Sequence, residues 1–317
     1  MKKTVLIIAV LCMISFCATA FAAPHMYIIG TGGMSGNYFP IGGAMVQLWH
    51  SHNKDLVQVT VQATGGTVEN VRLLEAGDVE FAIVQADLTA FASEGIEMFD
   101  KKYVMGRTMI SIYPDVITVA VRASVPGVNT FKDLVGKRVS FGAPGSGSEA
   151  SARLILGALG LKYSDFDARF VTNTEAIAQM RDGLIDAMLL TAGIPHAGFI
   201  DVTTTQDVKI LPIDEEARVK LYAKYPFMVP MDLPAGTYRG QPNAVPTIST
   251  DTLVLAHKDI PDDVVYAMVK TLWENHADFV QGNARAGYMN RNDPLRGSPI
   301  EAHPGALRYY KEQGMIK

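Results

Sequence analysis

Cysteine is almost missing from this chain of 317 residues: the two that occur, Cys12 and Cys17, lie near its start. Beyond them no disulfide can form and no thiol can serve as nucleophile or metal ligand. After the first residues, no apolar run reaches the roughly 20 residues of a membrane-spanning helix. Basic clusters are missing too. Lys and Arg number 28 against 32 Asp and Glu, a net charge of −4, so there is no electrostatic footprint for nucleic acid. The seven histidines are scattered, and none stands in an H-E-x-x-H pair. No G-x-x-x-x-G-K-[ST] phosphate loop is present. Neither Asp nor Glu occurs before Asp55.

The first residues do contain a leader pattern. Lys2 and Lys3 form a positive start, Val5 to Phe16 is a short apolar stretch, and Ala20-Phe21-Ala22 is a small-x-small cleavage site. Cleavage near Ala22 is expected, so 1–22 reads as a signal peptide and 295 residues remain. Export without cysteine points to a bacterial periplasm, because small secreted eukaryotic domains usually carry bridges. The remaining length suits two domains.

Glycine and small hydroxyl residues are concentrated at particular places. Strand Tyr27–Ile29 runs into Gly30–Asn37, and a helix follows with Ile41, Ala44, Met45, Leu48 and Trp49 on one face. Strand Val57–Ala63 ends in Thr64-Gly65-Gly66-Thr67, and strand Val79–Val84 ends in Gln85-Ala86-Asp87. This β-α-β-α-β order predicts a parallel sheet with helices on its faces. The pattern restarts at strand Arg138–Phe141 and a second glycine-rich turn, Gly142–Glu149, where Ser146 and Glu149 are spaced as a capping box. Strands Ala168–Val171 and Ala187–Leu190 follow, the latter ending in Thr191-Ala192-Gly193. Two similar α/β lobes are therefore expected, each with a mainly parallel sheet. The apolar runs Val116–Arg122 and Thr247–Leu255 would be the crossings, and a helix over about Asp262–Gln281 would return to the first lobe. The expected division is 23–115 plus 247–317 for lobe 1 and 116–246 for lobe 2.

Ligands of open parallel sheets bind beyond the carboxyl ends of the strands. The residues expected at a ligand are Thr31, Gly32, Gly33, Ser35, Gly36 and Tyr38 after the first strand, Thr64, Gly65 and Gly66 after the second, and Gln85 and Asp87 after the third. In lobe 2 they are Gly145, Ser146, Gly147, Ser148, Thr191 and Gly193. Each has a plainer alternative: Tyr38 packing at a helix start, Asp87 capping the next helix, or residues 64–67 forming only a tight turn. No Arg or Lys lies in these tips, so an anion there would be held by backbone N–H groups and hydroxyls at helix N-termini.

Taken in order, Ile29–Gly36, Tyr38–Ala44, Gln62–Asn70, Val84–Asp87, Gly142–Glu149 and His303–Glu312 resemble the TAXI class of substrate-binding proteins of tripartite ATP-independent periplasmic (TRAP) transporters. The resemblance spans nearly all of the chain after the leader. It implies an α/β, two-lobed periplasmic binding protein of type II-like form, with the ligand cleft between the lobes. It also implies capture of a small carboxylate-containing metabolite, such as glutamate, glutamine or an organic acid, and delivery to a separate TRAP-type permease. No cofactor, metal or catalysis is implied, and a monomer is expected.

Rival readings are weaker. Gly30-x-Gly32 follows a strand, but the sixth position is Ser35 and no acidic residue ends the second strand, so a dinucleotide site is not indicated. A hydrolase using Ser146 lacks G-x-S-x-G. A ligand-binding receptor feeding a separate membrane sensor would use the same lobes.

Overall fold

The computed structural model describes residues 25–34, 36–54 and 56–317, apart from the side chain of His25. The signal-peptide reading and Ser35 therefore fall outside the described residues. No helix among them is long and apolar enough to cross a membrane.

The first lobe is built on β1 (His25–Gly30), β2 (Val57–Gln62) and β3 (Phe81–Gln85), all parallel, in spatial order β2-β1-β3. Helices α1 (Tyr38–Asn53), α2 (Thr67–Ala76) and α3 (Ala86–Glu94) connect and follow them. A core of Ile29, Trp49, Phe81 and Tyr310 forms under α1, where the Trp49 indole donates to the Met268 carbonyl at 3.1 Å. Strand β4 (Gly106–Arg122) follows, with nearly every side chain buried.

The second lobe repeats the plan. Strands β5 (Arg138–Ser140), β6 (Asp167–Arg169) and β7 (Ala187–Ala192) are parallel in the order β7-β5-β6. Helices α4 (Gly147–Leu159), α5 (Asn173–Arg181) and α6 (Ala197–Thr205) follow them. Strand β8 (Val208–Leu211), helix α7 (Glu215–Lys224) and strand β9 (Val229–Leu233) come next. The chain returns along β10 (Val245–His257) into α8 (Asp262–Glu274), α9 (His276–Gly282) and α10 (Pro304–Glu312). The helix expected over 262–281 is thus two helices, broken at Asn275.

The crossings are longer than the apolar runs suggested. Strand β4 pairs with β10 through Val116, then with β7 and β8 from Val116 to Arg122. Because both long strands belong to both lobes, the ten strands of the described residues form one unbroken hydrogen-bonded ladder rather than two separate sheets. Pro114, with no N–H to give, stands where β4 changes partners. Asp115 is the next residue, which places a carboxylate at the floor between the lobes.

Candidate functional site

A cavity of ≈ 90 Å³ lies where the carboxyl ends of the two parallel sheets face each other. That is several times the roughly 10–15 Å³ needed for one water. Six of the described helices start at its wall, α3 through its cap Gln85. The others contribute Asn37 before α1, Gly66 and Thr67 at α2, Ser146, Gly147 and Ser148 at α4, Asn173 at α5, and His196 before α6. Each helix carries partial positive charge and orphan N–H groups at that end, so the wall favours an anion.

Local sequence explains each placement. Gly66 has φ 108° and ψ −155°, a conformation essentially restricted to glycine, and it turns β2 into α2. The Thr67 hydroxyl accepts the Gln85 N–H at 3.1 Å, fixing the tip of β3. Ser146 caps α4 by accepting the Glu149 N–H at 3.2 Å. The expected capping box is only half formed, because the Glu149 carboxylate instead pairs with Arg153 at 2.6 Å and accepts from the Tyr163 hydroxyl at 2.9 Å. Ser148 Oγ accepts the Thr191 N–H at 3.0 Å, joining two loops of the second lobe.

Of the residues expected at a ligand, Gly32, Gly33, Gly36, Tyr38, Gly65, Gly66, Gln85, Ser146, Gly147, Ser148 and Thr191 line the cavity. Others do not. Thr31 is fully buried and donates its hydroxyl to the Gln62 carbonyl at 2.6 Å. Thr64 Oγ1 lies 2.6 Å from Asn70 Oδ1 and accepts the Gly66 N–H at 3.1 Å, so it braces the turn. Gly145 is off the wall, next to Val68. Gly193 lies behind it, its carbonyl accepting from Asn37 at 3.0 Å. Asp87 is fully buried behind the wall, with its N–H donating to the Thr250 hydroxyl at 3.2 Å.

Among the wall and near-wall residues not expected at a ligand from sequence, three are titratable or charged. Asp115 is the carboxylate of the wall; its Oδ2 accepts from the Tyr38 and Thr252 hydroxyls, each at 2.8 Å, while Oδ1 has no protein partner. Burial holds its carboxyl up to about 7 and that of Asp87 up to about 6. His196 Nδ1 accepts the Gly198 N–H at 3.1 Å, which puts the proton of the neutral ring on Nε2, a buried atom with no partner. Burial, then the nearby Arg285 charge, pushes His196 down to about 4, so the ring is neutral at pH 7. Arg285 comes from the tail after α9 and donates to the Pro195 carbonyl at 2.5 Å. The tips contain no basic residue, yet a cation reaches the cleft edge from elsewhere in the chain. Gln85 Nε2 and Thr191 Oγ1 are also buried without partners.

The lobes touch across this cavity. Asn37 reaches Gly193, Arg285 reaches Pro195, and Gln85 lies so close to Gly147 that an added Cβ would fall 1.3 Å from Oε1. A larger residue at 147 would displace the Gln85 amide.

Two lobes of this topology, joined by two long strands with a polar cavity between facing strand ends, define the fold of periplasmic binding proteins. The chain belongs to the NMT1-like family, which it matches over residues 29–314. Solved structures share the fold at low identity. One is a protein from Bordetella bronchiseptica RB50, with TM-score 0.57, 14% identity, and coverage of 93% of this chain and 99% of that one. Another is described as a periplasmic transporter, with TM-score 0.56, 14% identity and coverage of 93% and 95%. A third is PhnD1 from Prochlorococcus marinus in complex with methylphosphonate, with TM-score 0.53, 11% identity and coverage of 92% and 96%.

Proposed function

We propose that this protein is a periplasmic solute-binding protein that captures a small carboxylate-containing metabolite between its lobes and delivers it to a TRAP-type permease. The observation that carries the reading is the convergence of six helix N-termini, from both lobes, on one small cavity whose wall holds buried polar atoms without partners. Such a wall suits a small anion that both lobes must grip. PhnD1, with the same fold, is described with methylphosphonate, a small anion. The carboxylate and the TRAP assignment rest on the TAXI-like motifs, most of which lie at this cavity. On this reading lobe 1 is 23–115 plus 247–317 and lobe 2 is 116–246.

Binding is favoured over catalysis by the hydrogen bonds. The Ser146 hydroxyl is taken up as a helix cap, and His196 Nδ1 is engaged with Gly198. Among the described residues no serine–histidine hydrogen bond occurs at the cavity, so a nucleophile–base pair is not assembled.

A thermal-shift panel tests the proposal. A ligand at about 100 times its Kd stabilises the native state by about 2.7 kcal/mol. Organic acids or amino acids should raise the Tm, whereas sugars and metal cations should not. The reverse pattern rejects the carboxylate.

A further inference from the structure

The wall offers a ligand donors from both lobes. Gln85 Nε2 and His196 Nε2–H are buried without partners, and the helix N-termini add backbone N–H groups. Among the fully buried side-chain atoms of the wall, the acceptors without a partner are Asp115 Oδ1 and the Thr191 hydroxyl. An ammonium group carries three donors and needs acceptors around it. An oxygen-rich, amine-free acid matches this wall better. Yet such an acid beside an ionised Asp115 would place two negative charges together out of water, which opposes ionisation of one of them.

The surroundings of Asp115 sharpen the conflict. It is 1% exposed. Tyr38 of α1 and Thr252 of β10 donate to Oδ2. Tyr113 is its neighbour along β4, Asp87 of α3 adds a second carboxyl held by Thr250, and His196 is neutral. Among the described residues Arg285 is the one cation that acts on it, and it is already engaged with Pro195.

We propose that the cleft takes up amine-free organic acids together with one proton, which settles on Asp115 Oδ1 and turns that oxygen into a hydrogen-bond donor toward a ligand oxygen. The proton comes from solvent, and no bond of the ligand breaks. With the lobes together, burial holds the Asp115 carboxyl up to about 7, so at neutral pH the proton is available at small cost. This inference rests on the reading of the cleft as a carboxylate site.

Titration calorimetry on the leaderless protein, with 2-oxoglutarate, succinate and L-glutamate, provides the test. Each titration is run in phosphate and in Tris, whose ionisation enthalpies differ, so that protons taken up on binding are counted. At pH 7.5, 2-oxoglutarate or succinate should bind with uptake of roughly 0.8 proton, the ionised fraction of a group titrating near 7. Affinity should then fall by close to tenfold per pH unit above 7 and level off at pH 6. Asp115→Asn, which supplies an N–H in place of the O–H, should bind with no proton uptake and with affinity flat from pH 6 to 9. Asp87→Asn should retain the uptake. Wild-type protein that binds 2-oxoglutarate or succinate without taking up a proton overturns the inference. So does protein that binds only L-glutamate, and so does uptake that disappears in Asp87→Asn. Failure of all three compounds to bind rejects instead the carboxylate reading on which the inference stands.

Discussion

Gly147 offers a sharp test of whether the lobes meet as described. A methyl group there would lie 1.3 Å from Gln85 Oε1 and 2.5 Å from its Cδ. The backbone of Gln85 is fixed, so its side chain must take another rotamer within the buried wall to make room. Gln85 is 2% exposed, its N–H is held by Thr67, and its carbonyl accepts from the Thr89 hydroxyl at 2.7 Å. Forcing extra atoms into a packed contact costs about 1–3 kcal/mol. The clash exists only when the two lobes are together, so the cost falls on the closed, ligand-holding form. At about 1.4 kcal/mol per tenfold, Gly147→Ala should weaken ligand binding by roughly 5- to 150-fold. The Tm without ligand should change little. Gly157→Ala on the same helix is the control. No atom lies within 4 Å of its added Cβ, so helix stability should rise by about 0.5–1 kcal/mol with affinity unchanged. Calorimetry with the best compound of the thermal-shift panel measures the loss. Repeating it in a Gln85→Ala background should remove most of that loss, because the clashing atoms are gone. Wild-type affinity in Gly147→Ala, or an undiminished loss beside Gln85→Ala, would refute the closed contact.

Arg285→Ala removes the donor to the Pro195 carbonyl, an interaction of about 1.5–3 kcal/mol for a charged donor, and should lower affinity about tenfold or more. Small-angle scattering at a fixed, subsaturating ligand concentration should then show a larger radius of gyration than wild type. His196, depressed to about 4 in the fold, should cost stability as pH falls from about 6.5 toward 4, because the unfolded chain takes up the proton first. The effect should approach about 3 kcal/mol. Asp115 and Asp87 act with the opposite sign: their raised carboxyls lend stability as pH falls from about 7 toward 4. Urea unfolding of wild type and His196→Asn at pH 7.5 and 4.5 isolates the histidine part as the difference between the two proteins. Asp87→Asn should leave ligand affinity within a few-fold at pH 8, as calorimetry can show, because Asp87 lies behind the wall rather than on it.

The legible part of this protein is what glycine and periodicity mark. The loops at Gly32–Gly36, Gly65–Gly66 and Ser146–Ser148 were visible because a strand followed by glycines and a helix start is a local pattern, and all three reach the cavity. What stayed hidden is what the chain brings together from afar. Asp115 is one charged residue inside a long apolar strand, and local reading treats such a strand as core; the Pro114-Asp115 pair breaking that run was the available signal. Arg285 arrives from a tail 90 residues beyond its partner Pro195, with no motif to announce it. His196 is an ordinary helix cap until folding aims its second nitrogen at the cavity. Asp87 misled in the opposite way. A strand-tip carboxylate reads as a ligand contact, but the β10 hydroxyl of Thr250 draws it into the interior.

The most direct test of the central claim is mass spectrometry of small molecules released by denaturing the protein purified from the periplasm of a bacterial host, beside an identically prepared Gly147→Val variant. The account predicts an organic acid or amino acid in near-stoichiometric amount from wild type and its strong depletion in the variant. A sugar or a nucleotide released from wild type, or the same organic acid retained equally by the variant, would contradict it.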